Sequence, residues 1–336
     1  MLKRPFLFFP LFLLALGIFA FTSIPAKSVK TIVIDPGHGG LDPGADGLTS
    51  TEAQVSLAIS MKVGELLKKE LPDVKLLFTR TADVLPGNCR TKGDALHWRA
   101  TFANQSKGDL FISIHCNSAG RAPGGWNERR VAGYDERVTY IGKKKKKKVT
   151  KVPIYETVYV PNAAKGTETF VWTAAENSHK GQFVSENGEF GEGGSDSTLI
   201  EQENDPVINA LKLVYTKKYF FKSVKLGEYV QQQFAKAGRI NRGVKQRNDK
   251  GIWVLHATGM PSILIETGFI SNKEEEEYMN SESGRSEIAG NILEAIRQYI
   301  LSLDNPAKNN DGEPAKAAVG AVTPFIENRK NLRFFA

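Results

Sequence analysis

Three short apolar runs constrain the fold of this chain more than any other feature. They occupy residues 30–35, 109–115 and 260–266, and each ends in an acidic residue or a histidine. Runs of this length and composition are typical of buried β-strands. Open α/β sheets place their functional sites at the carboxyl ends of parallel strands, where crossover connections gather those ends in one crevice. We therefore predict an α/β fold whose functional residues lie at one edge of a sheet.

Helical patterns lie between the apolar runs. Residues 52–70 repeat apolar side chains at helical spacing, directly after a group of capping residues at 49–52. The same kind of pattern predicts a strand at 73–80 and helices at 95–104, 227–239 and 287–303. With two cysteines in 336 residues, the chain is neither a disulfide framework nor a cysteine-rich zinc ribbon.

The positive charge of the chain is concentrated in one block. Residues 121–165 contain twelve basic and four acidic residues, and their net charge equals the +8 of the whole chain. Proteins that bind nucleic acid spread their basic residues along a face, so we expect no nucleic-acid partner. We interpret the block as an insertion whose lysine run, residues 143–148, forms a solvated loop. The functional alternative is attraction to an anionic polymer of the cell envelope.

The first 26 residues are predicted to be a signal peptide. Lys3 and Arg4 precede a nearly continuous apolar stretch at residues 5–21, as in a secretory signal. An uncleaved membrane anchor is the alternative, because about 17 apolar residues is borderline for spanning a bilayer. We therefore expect export to the periplasm or cell envelope, with membrane contact only through this segment.

A glycine-rich turn follows the first apolar run and contains a histidine. Residues 37–47 include five glycines, but they match neither a phosphate-binding loop nor a dinucleotide fingerprint. His38 lies in this turn, His115 ends the second apolar run, and Glu52 begins the first helix. Alone, Glu52 would only complement the helix dipole, and His115 would be a hydrogen-bonded core residue. Together, two imidazoles and one carboxylate form a common catalytic zinc set that leaves a position for water.

Glu266 ends the third apolar run. A carboxylate at the end of a buried strand is costly unless it is paired or lies near a metal. One glutamate can accept a proton from water and return it to a leaving amine. The structural alternative is a glutamate that caps the following turn.

Four motifs in order resemble the zinc-dependent N-acetylmuramoyl-L-alanine amidases of bacteria. They are Asp35-Pro36-Gly37-His38-Gly39-Gly40 with Asp42-Pro43-Gly44-Ala45, then Glu52, then Ser113-Ile114-His115-Cys116-Asn117, then Ile265-Glu266-Thr267-Gly268-Phe269-Ile270-Ser271-Asn272. Weaker matches are Thr79-Arg80, Arg99, Ala103-Asn104 and Gly166-Thr167-Glu168-Thr169. The resemblance covers about residues 30–303, interrupted by the basic block.

The resemblance implies a fold, a metal and a substrate. The fold would be a single three-layer α/β domain at residues 27–303, with a mixed, mostly parallel sheet flanked by helices and the zinc site at the strand carboxyl ends. His38, Glu52 and His115 would hold one Zn²⁺, and Glu266 would be the catalytic carboxylate. The substrate would be peptidoglycan, cut between the lactyl group of N-acetylmuramic acid and L-alanine. Residues 304–336 would be a flexible tail.

Two other functions stay open. A zinc carboxypeptidase uses the same kind of ligand set, but it usually needs an arginine for a terminal carboxylate, and no sequence signal marks one. A peptidoglycan-binding scaffold without catalysis is the non-enzymatic alternative, although all four required residues are present.

The chain departs from the usual pattern of the family after the basic block. Residues 176–222 are polar and then apolar, and in exported amidases such a segment can cover the zinc until a protein activator draws it away. Glu201 or Glu203 would then plug the site, although a solvated loop is the simpler reading. His256 stands where a basic residue is expected, and it either lines the substrate groove or lies on the surface.

The remaining histidines and the cysteines carry weaker signals. His97 and His179 are expected to be structural or exposed. Export permits a disulfide between Cys89 and Cys116, but the position of Cys116 in a strand favours a side chain directed toward the core.

Overall fold

The computed structural model describes residues 28–172, 206–247 and 252–304. The predicted signal peptide, the tail beyond residue 304, His179, Glu201 and Glu203 lie outside the described residues, and so does the polar part of the 176–222 segment. Those interpretations stay predictions. Within the described ranges, no helix is both long and apolar enough to cross a membrane.

A six-stranded mixed sheet forms the centre of the domain, in the order β2-β1-β3-β8-β6-β7. Its strands are β1 (Thr31–Pro36), β2 (Lys75–Phe78), β3 (Leu110–Asn117), β6 (Thr167–Val171), β7 (Asn241–Gln246) and β8 (Ser262–Phe269). Only the pairing of β6 with β8 is antiparallel, and the other four pairs are parallel. The three apolar runs become β1, β3 and β8, which are adjacent, so the predicted mostly parallel sheet is confirmed.

In the described part of the chain, six α-helices accompany the sheet: α1 (Glu52–Glu70), α2 (Lys92–Gln105), α3 (Pro206–Lys236), α4 (Trp253–His256), α5 (Lys273–Asn280) and α6 (Glu282–Asp304). Alternate side chains of β1 reach two separate cores. Ile32 and Ile34 join one core with apolar residues of α1, α3 and α6. Val33 joins the other, with Ala103 of α2 and Leu255 of α4. The sheet is therefore covered on both faces, as the three-layer prediction requires.

Capping fixes where α1 begins. The Thr51 side chain accepts a hydrogen bond from the Gln54 backbone N–H, and the Gln54 side chain accepts one from the Thr51 backbone N–H. This reciprocal capping box makes Glu52 the first helical residue. Helix α2 begins at Lys92, three residues before the predicted start, because Thr91 caps it through the Asp94 N–H.

The lysine run is only in part the solvated loop that was predicted: residues 143–148 are all exposed, but the last three belong to a strand. The basic block forms a long antiparallel hairpin of β4 (Gly125–Ile141) and β5 (Lys146–Pro161), which make a separate two-stranded sheet. Only the first lysines of the run lie in the hairpin turn, and residues 146–148 pair across to residues 139–141. Cross-strand hydrogen bonds along both strands turn a charged segment into regular structure.

One further prediction is corrected by the fold, and the expectation of a core-directed Cys116 is confirmed. The helix expected at 227–239 begins at Pro206, so the apolar part of the 176–222 segment is the first half of α3. Cys89 and Cys116 are both free thiols. Cys116 is buried, as expected for a side chain on the core side of β3.

Close packing of α1 against β2 leads to a stability prediction. A Cβ added at Gly64 would lie 2.3 Å from Cζ of Phe78, whereas a Cβ added at Gly290 in α6 would meet no atom within 4 Å. Gly64→Ala should lower the free energy of unfolding by about 1–3 kcal/mol through overpacking. Gly290→Ala, as the matched control, should raise it by up to about 1 kcal/mol through helix propensity. Urea unfolding of both variants measures the difference, and equal effects would contradict this packing.

Candidate metal centre and catalytic cavity

Three predicted ligands from different elements meet at the carboxyl edge of the sheet. His38 follows β1, Glu52 begins α1, and His115 lies in β3. One ligand atom from each residue lies within 4.8 Å of the others. Glu52 is central, because its Oε2 lies 3.1 Å from Nε2 of His38 and its Oε1 lies 2.8 Å from Nδ1 of His115. The predicted convergence of the three side chains is therefore present.

The turn at residues 37–47 needs glycine where side chains of the centre pass close to its backbone. A Cβ at Gly37 would lie 2.4 Å from the His115 ring, and one at Gly44 would lie 2.7 Å from Oε2 of Glu52. His38 itself has a φ of 59°, in the left-handed region that non-glycine residues seldom adopt. The backbone thus wraps around the two imidazoles with no room for larger residues.

Hydrogen bonds hold the ligand side chains in place. Nδ1 of His38 lies 2.8 Å from Oδ2 of Asp42, which leaves Nε2 directed at the centre. The carboxylate of Glu52 accepts hydrogen bonds from the backbone N–H groups of Ala45 (2.9 Å) and Cys116 (3.2 Å). Carboxylate partners of this kind fix the tautomer and orientation of metal-binding histidines.

The charges at the centre shift the pKa values of the ligands. Burial alone would raise the pKa of Glu52, but the hydrogen bonds and charges of His115 and His38 outweigh burial and lower it. Burial would lower the pKa of His38, but Glu52 and Asp42 together raise it. Glu52 is therefore an anion at neutral pH, and the centre combines one negative charge with two imidazoles.

This donor set fits a zinc ion. Two imidazole nitrogens and one carboxylate oxygen are a known catalytic zinc set, with a fourth position for water or substrate. The three side chains line a cavity of about 510 Å³, which gives that position access to substrate. Among the described residues, they are the one group of histidine, cysteine and acidic side chains close enough to share an ion.

Two buried arginines hold the backbone that carries His38. Arg99 forms an ion pair with Asp35 and donates hydrogen bonds to the carbonyls of Pro36 (2.8 Å) and His38 (2.6 Å). Arg80 donates to the carbonyls of Gly37 (2.6 Å), Ala53 (2.7 Å) and Pro36 (3.1 Å). The two guanidinium groups therefore tie the His38 turn to the start of α1. The sequence marked both residues only as weak family matches.

Glu266 reaches the same cavity from β8. It is paired in register with His115 of β3 on one side and with Glu168 of β6 on the other, and it lines the cavity with the three ligands. Burial raises the pKa of Glu266 well above its usual value, and the charges of Glu52 and Glu168 add to this, while Arg247 opposes it. Its Oε2 is buried and has no hydrogen-bond partner among the described residues.

Glu168 is a site residue that sequence reasoning did not single out. Its buried carboxylate forms ion pairs with Arg242 and, at 2.9 Å, with Lys245, and it accepts a hydrogen bond from Asn117 (3.2 Å). These partners lie on β7 and β3. The available signal was the weak family match at residues 166–169, which contains Glu168.

The cavity wall next to the ligands is partly aromatic. Phe170, Trp253 and the cation Arg247 line it. His256 is buried beside the Trp253 ring, at a ring-centroid distance of 4.9 Å, and it does not line this cavity. The expectation of a surface residue is therefore wrong. His97 is exposed, as expected.

The arginine contacts generate a prediction about metal affinity. Arg80→Lys removes the planar group that reaches several carbonyls at once, leaving buried acceptors that cost about 1–3 kcal/mol each. The free energy of unfolding should fall by about 2–4 kcal/mol, and zinc affinity by about 10- to 100-fold, as for other outer-shell changes. Chemical denaturation and competition with a zinc chelator measure the two effects. Arg297→Lys, on the exposed face of α6, is the control and should change neither value; if Arg80→Lys also changes neither, the arginine does not support the site.

Relatives of the chain are cell-wall amidases. It is 28% identical over 296 residues to the probable N-acetylmuramoyl-L-alanine amidase AmiB of Haemophilus influenzae, covering 85% of this chain and 55% of that protein. It is 27% identical over 271 residues to AmiC of Escherichia coli, covering 80% and 52%. An uncharacterized cell wall amidase of Bacillus anthracis is 28% identical, covering 80% and 35%. The chain thus spans about half, or less, of the length of these relatives.

Structure and family comparisons agree with the fold described above. The crystal structure of an N-acetylmuramoyl-L-alanine amidase from Clostridium difficile 630 has a TM-score of 0.50 and 22% identity, covering 82% of this chain and 98% of that one. This likeness supports the fold. The family model Amidase_3, N-acetylmuramoyl-L-alanine amidase, matches residues 32–298. Because the match includes every strand of the central sheet except the first residue of β1, the chain belongs to the N-acetylmuramoyl-L-alanine amidase family.

Proposed function

We propose that this protein is a zinc-dependent N-acetylmuramoyl-L-alanine amidase that cuts peptidoglycan between N-acetylmuramic acid and L-alanine. The observation that carries the proposal is the convergence of His38, Glu52 and His115 with Glu266 in one cavity. Membership of the amidase family supports the substrate class. The mature enzyme would hold one Zn²⁺.

The chemistry divides between the metal ligands and Glu266. His38, Glu52 and His115 would hold the zinc ion, which would supply Lewis acidity and lower the pKa of water toward neutral. Glu266 accepts the proton of the attacking water and returns it to the nitrogen of the departing L-alanine. Burial raises the pKa of Glu266, so its carboxylate holds a transferred proton more strongly than an exposed glutamate would.

The rest of the cavity keeps these groups in position. Asp42 orients His38, and the arginine contacts fix the turn that carries it. Arg242 and Lys245 keep Glu168 paired at the register position beside Glu266. Glu266, the general base, therefore lies beside a glutamate that is already ion-paired, and the two carboxylates do not share a proton.

A carboxypeptidase is the second candidate, and one observation favours it. Arg247 lines the cavity, although the sequence did not mark it. An arginine there is the kind of group that would bind a terminal carboxylate.

Product analysis separates the two enzymes. Purified peptidoglycan digested by the zinc-loaded protein should release free stem peptides with an intact L-alanine amine and leave unmodified glycan strands, as judged by mass spectrometry. Glycan-linked peptides shortened at their carboxyl ends would identify a carboxypeptidase. No cleavage of any peptidoglycan fragment by the zinc-loaded protein would reject the proposed function.

Substitution of Glu52 and substitution of Glu266 should impair different properties of the enzyme, zinc affinity in one case and turnover in the other. Glu52→Gln replaces an anionic ligand by a weaker neutral one, so zinc affinity should drop and activity should partly return at high zinc. Glu266→Gln keeps the shape but cannot accept a proton, so zinc should stay bound while kcat falls by about 10²- to 10⁴-fold. Metal analysis and amide-cleavage rates on the purified variants measure both.

The matched control for this pair is Glu65→Gln, an exposed carboxylate on the same helix as Glu52. It should leave zinc content and turnover unchanged. An active Glu266→Gln would remove that residue from catalysis. If Glu52→Gln holds zinc as tightly as the parent, Glu52 acts only on the helix dipole.

Export and regulation complete the proposal. An enzyme with this substrate must work outside the cytoplasmic membrane, which agrees with the signal-like residues 1–26. A protein activator would act on the segment at residues 176–222, which follows β6 and includes the first half of α3. Deletion of 177–205 should raise activity on soluble fragments at unchanged zinc affinity, and lower or equal activity in a folded deletion would reject this regulation.

A further inference from the structure

The β4–β5 hairpin is a long ribbon that packs mainly on itself. Its 17-residue first strand extends about 55 Å at the usual rise per residue. Two-stranded ribbons bury little of their own surface and are marginally stable when isolated in water. A ribbon of this length with exposed apolar side chains is therefore a candidate for a surface that a partner covers.

Register places most of the exposed apolar side chains on one face of the ribbon. Val131 is opposite Tyr155, Val138 is opposite Val149, and a bulge between Val131 and Gly133 keeps the alternation in phase along β4. We call this surface the tyrosine face: Val131, Tyr134, Val138, Tyr140, Val149, Tyr155 and Tyr159. Each of its side chains is more than two-fifths exposed. The four tyrosines are spread from the base of the hairpin to its tip.

Positive charges accompany the tyrosine face. The Arg129 guanidinium lies 3.8 Å from the centre of the Tyr155 ring, and Lys147 and Lys151 occupy positions on the same face. Residues 143–145 add three lysines at the turn. Aromatic rings stack on apolar surfaces while their hydroxyls bond polar groups, and the lysines attract carboxylates.

The base of the hairpin is attached beside the catalytic cavity. Ser118, just before it, lines the cavity with His115. The Gly124 N–H donates to the Ser271 carbonyl (2.9 Å), and the Asn272 side-chain amide donates to the Asn162 carbonyl (2.7 Å). A polymer lying along the ribbon is thus held next to the cavity.

We propose that the tyrosine face binds a peptidoglycan strand, with sugar rings stacked on the tyrosines and stem-peptide carboxylates near the lysines. The proposal rests on the proposed function and adds a second binding surface for the same substrate. A second copy of the chain would bring two hairpins of equal positive charge together. A lipid surface would meet the tip of the ribbon, whereas the tyrosines follow its whole length.

The test compares the two faces of the ribbon. The first variant combines Tyr134→Ser, Tyr140→Ser and Tyr155→Ser; the control combines Ile141→Ser and Ile154→Ser, which are exposed on the opposite face. Binding is measured by co-sedimentation with purified peptidoglycan sacculi stripped of attached anionic polymers. The tyrosine variant should bind on the order of tenfold more weakly, and the control should bind as the parent does.

Activity on a small soluble muramoyl peptide separates this proposal from the proposed function. The tyrosine variant should cleave that peptide at the parent rate and digest intact sacculi several-fold more slowly. If the parent cleaves the soluble peptide but both variants bind stripped sacculi equally, the surface proposal is wrong and the function stands. If the parent cleaves no muramoyl peptide, the function itself fails.

The three lysines at the turn of the hairpin should contribute to sacculus binding through their charge. Changing Lys143, Lys144 and Lys145 to Gln should weaken sacculus binding by a factor that shrinks with added salt, because exposed charges are screened within about 10 Å at 0.1 M.

Other occupants of the tyrosine face would give other results. Parent binding that requires unstripped walls would identify an anionic wall polymer and overturn the proposal. Binding to anionic phospholipid vesicles that the tyrosine changes abolish, or a dimer in light scattering that they dissociate, would overturn it as well.

Discussion

The buried ion pair between Asp35 and Arg99 is the contact on which the site depends. Asp35 is buried near the end of β1 and also accepts hydrogen bonds from Thr79 (2.6 Å), just after β2, and from Ser113 (2.7 Å) of β3, so it ties β1 to both sides. The Asp35 carboxylate neutralises the charge of Arg99. The other N–H groups of the guanidinium donate to backbone carbonyls of the His38 turn. Removing one partner would leave an uncompensated buried charge, which is far more costly than losing a surface pair.

The register of the sheet brings one histidine and two glutamates of the cavity region together. His115, Glu266 and Glu168 occupy one row across β3, β8 and β6. Such a row would accumulate negative charge if nothing opposed it. Arg242 and Lys245 form ion pairs with Glu168, while the pKa of the half-buried Glu266 is raised by desolvation. Two carboxylates on adjacent strands thus have different surroundings, one paired with two cations and one without such a pair.

The sequence predicted the parts of this molecule that local pattern determines. Apolar runs and capping residues located β1, β3, β8 and α1, and the residues at their ends were then expected to converge, because parallel strands share an edge. The Glu168 ion pairs could not be found in this way, since they depend on which strand lies beside β6. The hairpin was missed because charged residues mask the alternation of its tyrosine and valine side chains. Its pairing joins residues up to 36 positions apart.

An insertion as long as the hairpin is compatible with the domain because its two ends meet. The Asn162 N–H donates to the Gly124 carbonyl (3.0 Å), so the chain leaves the domain and returns at the same place. Closing a longer loop adds little entropy cost when the ends are already held together. The exit point is set by β3, whose last residues also carry His115 and line the cavity. Any surface built on the hairpin is therefore attached to the edge of the sheet where His38, Glu52 and His115 converge. The hairpin can differ in length without moving these three side chains.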